Sequence, residues 1–317
     1  MELSLHLVRQ VRPAVERQTR RTPMRHSDPG SARCGTPLWL KLESQQVTGS
    51  FKARGPLAVR ALRADPKRWV AASAGNHGLG VAHALRGIGA PPRIFVPRSA
   101  AKVKRDAIAA LDAEITVVDT TSYDDTELAA RRWASEHDAL FVSPFDDPLI
   151  MAGTGGTLAL EILEQLPEVA SVVVPVGGGG LASGIGCVMR ALRPSARLVG
   201  AQSENTPAMH DSMARGAAIL RHSGPPTLAE GLEGGVSARS FDYVSRWFDE
   251  VRLVSEASVA AAMRWLWDAH GARVEGSAAV GIAALLDGLR LPGPVCAILS
   301  GCNVDDDTWD RVMVRTG

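Results

Sequence analysis

The sequence predicts an α/β protein built on mostly parallel sheets, and three features predict it. Short apolar runs of strand length recur along the chain, with helix-length segments between them. Those runs, such as residues 172–175 and 295–299, are apolar at consecutive positions instead of alternating, as in parallel strands buried on both faces. The chain has 317 residues, enough for two lobes with sizeable cores. Strand–helix–strand repetition of this kind is joined by right-handed crossovers.

Taken in order, residues 5–16 carry the period of an amphipathic helix, with Pro13 inside it. Residues 26–36 are rich in Gly, Ser and Pro and predict a loop. A strand over 38–42 leads to a helix over 51–63, with Ser50 as its N-cap. Further strands are predicted at 69–72, 94–96, 115–118, 140–142, 172–175, 198–201 and 295–299. Helices are predicted at 78–86, 102–111, 125–137, 150–166, 181–192, 259–270 and 278–286. Residues 221–236, with Pro225-Pro226 and several glycines, predict a long loop, and no repeat of fixed period is evident.

Composition removes several function classes. Hydrophobic content of 45% and charged content of 22% fit a globular protein. A net charge of +1, with no basic block, argues against nucleic acid. No apolar run is long enough to cross a membrane, and the charged first 18 residues do not read as a signal peptide. Cys34, Cys187, Cys296 and Cys302 are far apart, which suits reduced thiols and predicts a cytoplasmic protein. The histidines form no paired zinc-ligand spacing, so no metal site is predicted.

Four stretches carry the chemistry. In Thr48-Gly49-Ser50-Phe51-Lys52-Ala53-Arg54-Gly55, Lys52 falls in the first turn of a helix. The helix dipole disfavours a cation there, and partial burial would lower the amine further and make it nucleophilic near neutrality; taken alone, the stretch fits a solvated surface lysine better. In Val176-Gly177-Gly178-Gly179-Gly180-Leu181, glycines follow a strand and open a helix, so backbone N–H groups can converge on an anion. No lysine follows them as in a nucleotide P-loop, and Gly178, Gly180 and Gly184 miss the dinucleotide spacing, although Glu204 lies at the right distance for its acid. Ser73-Ala74-Gly75-Asn76-His77-Gly78 places a hydroxyl, an amide and helix-start N–H groups after a strand. Leu299-Ser300-Gly301-Cys302-Asn303 closes the last strand.

Together these stretches, in this order and spacing, resemble the serine/threonine dehydratase family of pyridoxal-phosphate (PLP) enzymes, the fold-type II group that includes serine racemase. Pro144-Phe145-Asp146-Asp147-Pro148 and Thr227-Leu228-Ala229-Glu230-Gly231 add to the resemblance, which runs from about Thr36 to Asp305. It implies the tryptophan synthase β-like architecture: two open, twisted, mostly parallel sheets flanked by helices. A large PLP-binding domain would comprise residues 1–66 and 149–317, and a small mobile domain residues 67–148. With the sequence ending at Gly317, no C-terminal regulatory domain is expected.

The resemblance also implies roles. Lys52 would hold the cofactor and act as general base, with Phe51 packed on the ring. Gly177, Gly178, Gly179, Gly180 and Leu181 would cradle the phosphate. Asn76 would face the cofactor's 3′ oxygen, and Ser300 the ring nitrogen. Ser73, Asn76 and His77 would bind the substrate carboxylate. The implied reaction is α,β-elimination of water from a β-hydroxy-α-amino acid such as threonine or serine, by a homodimer.

An amino-acid racemase is the first alternative, but the family's second acid stands after the first motif serine, where this chain has Ala74. A β-replacement synthase of the cysteine synthase type and a catalytically silent PLP carrier are the others. The stretch Arg273-Val274-Glu275-Gly276-Ser277-Ala278-Ala279-Val280-Gly281 also looks like the hydroxyectoine-degradation and phenylserine dehydratase branches. Relatives that bind Mg²⁺ or Ca²⁺ use two carboxylates and a carbonyl where this chain has Gln202, Ala208 and Thr206, so no divalent metal is expected.

Overall fold

The computed structural model describes residues 1–63 and 68–314; the expected domain border at 66/67 and the chain end at Gly317 lie outside them. Among the described residues the strands are β1 (Met24–His26), β2 (Leu38–Lys41), β3 (Trp69–Ala72), β4 (Arg93–Pro97), β5 (Glu114–Val118), β6 (Leu140–Phe141), β7 (Ser171–Pro175), β8 (Arg197–Ser203), β9 (Glu250–Val254) and β10 (Val295–Ile298). They form two sheets, ordered β1-β2-β10-β7-β8-β9 and β5-β4-β3-β6. Every pairing is parallel except β1 with β2.

The unalternating apolar runs are central strands. Val172, Val173 and Val174 of β7 are all 0% exposed. Burying each such side chain contributes about 1.5–3 kcal/mol before entropy is counted. The helix Gly276–Leu286, almost wholly buried, covers the six-stranded sheet. The helix Tyr123–Glu136 packs on the four-stranded one.

Several expectations need correction. Residues 26–36 are not all loop: the helix Asp28–Cys34 lies there. Ser27 Oγ accepts from Gly30 N–H at 3.1 Å, Pro29 occupies the first turn, and Gly35 ends the helix at φ 71°. These are ordinary start and stop signals that the Gly/Ser/Pro content masked. The helix expected at 51–63 is a 3₁₀ turn, Phe51–Ala53, running into the helix Arg54–Leu62. Ser50 makes no capping bond, and its buried Oγ has no partner.

The helix expected at 150–166 is a composite. Pro148–Met151 and Thr157–Gln165 flank a π-helical segment, Ala152–Gly156. This segment crosses the helix Gly180–Leu192 at backbone contact distance. A Cβ at Gly155 would lie 2.0 Å from Leu181 O, and one at Gly184 2.1 Å from Met151 O. The crossing fixes where the glycine loop begins. Strands β1 and β9, and the helices Ala208–Arg215, Ala238–Trp247 and Asp306–Met313, were not expected. They are short or strongly polar, and their apolar positions are set by tertiary packing.

Beneath the Lys52 turn lies a buried ion network. Arg54 donates to Glu43 at 2.8 and 2.9 Å and to Glu161 at 2.7 Å. Lys41 donates to Glu161 at 2.8 Å, to Gln165 at 2.7 Å and to the Thr22 carbonyl at 2.8 Å. Two cations and two carboxylates balance, with every charged side chain at most 2% exposed. Burial pushes the Glu161 carboxyl up, but Arg54 and Lys41 hold it below the usual range.

Candidate active site

Lys52 projects from the 3₁₀ turn Phe51–Ala53, and that turn is tied to the end of β10. Phe51 N–H donates to Ser300 O at 3.1 Å, and Ser50 bridges Gly301. The next helix of the four-stranded sheet, Asn76–Leu85, rests on the same turn, since a Cβ at Gly80 would lie 2.6 Å from Lys52 O. The Lys52 ammonium donates to the Pro144 carbonyl at 2.8 Å and lies 5.2 Å from the centre of the Phe51 ring. Burial lowers this amine to about 8, while Glu275 pulls it the other way.

Asn76 opens its helix and donates to both oxygens of Glu275, at 2.9 and 3.1 Å. Glu275 precedes the helix Gly276–Leu286. Its carboxyl is pushed up to about 7 by burial and by Glu230, against the pull of Asn76, Lys104 and Lys52. His77 is 3% exposed. Its Nε2 lies 2.9 Å from the Val142 carbonyl, which can only accept, so Nε2 carries the proton and the partnerless Nδ1 is a lone pair. Burial, with the Lys52 charge adding to it, lowers His77 to about 3. Ser73 Oγ accepts from Gly75 N–H at 3.1 Å.

The glycine loop reaches this cluster through Phe145. A Cβ at Gly178 would lie 2.5 Å from the Phe145 ring and one at Gly180 2.8 Å from Phe145 Cα, next to the carbonyl that Lys52 contacts. Gly179 has φ 93°, a conformation open to glycine. Among the described residues the amides of Gly177, Gly178 and Gly179 donate to no protein group, and the helix Gly180–Leu192 points its N-terminus at the same spot. Free amides at a helix start form an anion cradle. The Leu181 side chain is 6% exposed and belongs to the core.

The structure thus gathers Lys52, Phe51, Asn76, Ser300 and, through Phe145, the glycine loop. It turns Ser73 Oγ and His77 Nε2 toward backbone partners. Glu275 was not among the candidates. A carboxylate just before a long apolar helix was its sequence signal, but its partner Asn76 is 199 positions away. Where metal-binding relatives need oxygen ligands, Gln202 Oε1 is already taken by His210 N–H at 2.9 Å, leaving its Nε2 donor facing inward without a partner.

Two mostly parallel sheets meeting at a lysine, a glycine loop and a helix start define the class: an α/β enzyme of the fold-type II PLP architecture. The sequence profile described as "Pyridoxal-phosphate dependent enzyme" matches residues 15–301, and the chain belongs to that family. It is 37% identical to an L-threonine ammonia-lyase of Thermotoga maritima over 316 residues, covering 98% of this chain and 78% of the relative. It is 35% identical to human serine racemase over 295 residues, covering 89% and 86%. The solved T.th. threonine deaminase superposes with a TM-score of 0.89 at 34% identity, covering 95% of this chain and 99% of the other.

Proposed function

We propose that this chain is a PLP-dependent ammonia-lyase that converts a β-hydroxy-α-amino acid, threonine or serine, to a 2-oxo acid and ammonia. The observation that carries this reading is the Lys52 amine, lowered to about 8 beside a glycine loop with free amides. The residues present fit the cofactor. Lys52 would hold it covalently, and the amides of residues 177–181 would take its phosphate. Phe51 would pack on the ring, Asn76 would face the 3′ oxygen, and the Ser300 hydroxyl would donate to the ring nitrogen. When bound, the cofactor supplies a sink for the electrons of the substrate α-carbon.

The chain's own groups do the rest. Displaced by the substrate amine, Lys52 becomes a free base close to its working pH and takes the α-proton onto Nζ. Amides at the start of the helix Asn76–Leu85, with Ser73 and His77 beside them, would hold the substrate carboxylate. The β-hydroxyl would leave as the α,β double bond forms, the hydroxyl and the proton taken from the α-carbon together making water, and the released enamine takes up one water to give the 2-oxo acid and ammonia. Ala74 carries no proton for the opposite face of the α-carbon, which favours elimination over racemisation. In the same reading the enzyme works as a cytoplasmic homodimer, residues 67–148 move as a small lobe, and no divalent metal is required.

The test is to give L-threonine and L-serine to the purified holoenzyme. Equimolar 2-oxo acid and ammonia are expected. D-Serine without 2-oxo acid, followed by circular dichroism in heavy water, would replace this reading with a racemase. Efficient cysteine formation from O-acetylserine and sulfide would replace it with a β-replacement synthase.

A further inference from the structure

Glu275 ties the site together. Asn76 Nδ2 donates to its two oxygens, and Asn76 Oδ1 accepts from Asn303 Nδ2 at 2.6 Å. Asn303 Nδ2 also donates to the Thr48 carbonyl at 2.9 Å. This relay joins the first helix after β3 in the four-stranded sheet to the segments flanking β10 and the Lys52 turn in the six-stranded one. With a donor on its oxygen and a carboxylate on its nitrogen, the Asn76 amide has one orientation. Glu275 N–H donates to Gly301 O at 3.2 Å, and a Cβ at Gly301 would lie 2.4 Å from Glu275 Oε1. Gly301 is in turn bridged to Ser50, two residues before Lys52.

We propose that Glu275 is a positioning residue for the Lys52 chemistry. Its carboxylate fixes the Asn76 amide across the two sheets and supplies the counter-charge that favours Lys52 in its protonated form once that amine has taken the substrate's α-proton. The proposal rests on the reading of Lys52 as the base. Abstraction creates an ammonium in a largely desolvated site, where burial alone disfavours it. Glu275 is the carboxylate whose charge acts on Lys52. The proton itself moves from the α-carbon to Lys52 Nζ and does not pass to Glu275. The charged and titratable groups facing Glu275 are Lys52, Lys104 of the helix Lys102–Ala109, Glu230 and Cys302; His77 faces Lys52.

The test uses cofactor-free full-length protein and needs no turnover. Wild type, Glu275→Gln and Glu275→Asp are acylated with trace acetic anhydride between pH 7 and 8, the interval between the carboxyl near 7 and the amine near 8. Modification at Lys52 is read by mass spectrometry relative to Lys102, whose side chain is 80% exposed. Gln keeps an acceptor for Asn76 but removes the charge, so the Lys52/Lys102 ratio should rise roughly threefold to fivefold at pH 7 and less than twofold at pH 8, the change made by half to one pKa unit. Asp, which keeps the charge, should return the ratio most of the way to wild type, and Glu275→Met, which also removes the charge, takes the place of the Gln variant if that does not fold. An unchanged or lower ratio in Glu275→Gln, or an Asp variant as reactive as the Gln variant, would overturn the proposal. A negative 2-oxo acid assay together with the expected rise in Glu275→Gln would instead overturn the proposed reaction and leave the coupling of Glu275 to Lys52 standing.

Discussion

Lys41 and Lys52 are eleven positions apart, on two sides of one segment, and the protein treats them in opposite ways. Lys41 is 0% exposed and surrounded by a carboxylate, an amide oxygen and a carbonyl, all within 2.8 Å. Lys52 has one carbonyl at 2.8 Å and a carboxylate that acts on it through space. The difference separates a structural charge from a chemical one. Burial lowers both amines, so the difference lies in the partners: every donor of Lys41 is consumed and Glu161 and Glu43 act to keep its proton. A lysine with a single neutral acceptor and a lowered pKa can lose its proton and become a nucleophile or base. The locked network also positions Lys52, because Arg54, held by Glu43 and Glu161, lies two residues beyond it.

Substitutions should break the two regions differently. Lys52→Ala should abolish the visible absorbance of lysine-bound cofactor and reduce turnover by ~10²–10⁴-fold or more, the range for removing a general base. Its urea midpoint should stay near wild type. Retained absorbance would contradict the lysine assignment. Glu161→Gln should do the reverse. It leaves Lys41 and Arg54 short of a counter-charge in the core, which costs about 3–5 kcal/mol of stability by urea denaturation. The protein that remains folded should still bind cofactor at Lys52. A loss below ~1 kcal/mol would show that the network is not as desolvated as its burial indicates.

A smaller effect is expected in the pH dependence of stability of the cofactor-free protein. His77 lies near 3 when folded against an ordinary 6.5, so the unfolded chain binds more protons over that interval and stability rises as pH rises through it. Glu275, near 7 against 4.5, acts in the opposite sense: its contribution is complete below 4.5 and is lost as pH rises through 7. Between 4.5 and 6.5 the two oppose each other. Glu275→Gln removes one of them, so stability should climb more steeply with pH than in wild type, by up to ~1.4 kcal/mol per pH unit. An identical slope in the two proteins would contradict the pairing. The smallest effect, none at all, is expected from chelation. Activity and melting temperature should survive chelator treatment, because Gln202 turns an N–H donor inward where a cation needs oxygen.

The parallel core was legible in the sequence because the apolar runs of β3, β7 and β10 leave no other reading. Lys52 and the glycine loop could be singled out as candidates only from four stretches in one order and spacing, since each stretch alone is a weak signal. The helix Asp28–Cys34 was masked by its own capping residues, and β9, at the sheet edge, interrupts its apolar residues with Glu250 and Arg252. The buried network and Glu275 were hidden for a different reason. Arg54 and Glu161 are 107 positions apart, and Asn76 and Glu275 are 199 apart, so only the fold gives them partners.

The contrast between the two lysines is tested most directly by fixing the cofactor to the protein. Holoenzyme reduced with borohydride, digested and mapped by mass spectrometry should carry the added cofactor mass on the peptide containing Lys52 and leave the Lys41 peptide unmodified. The same mass on the Lys41 peptide, or on any other lysine in place of Lys52, would contradict the assignment of the reactive amine.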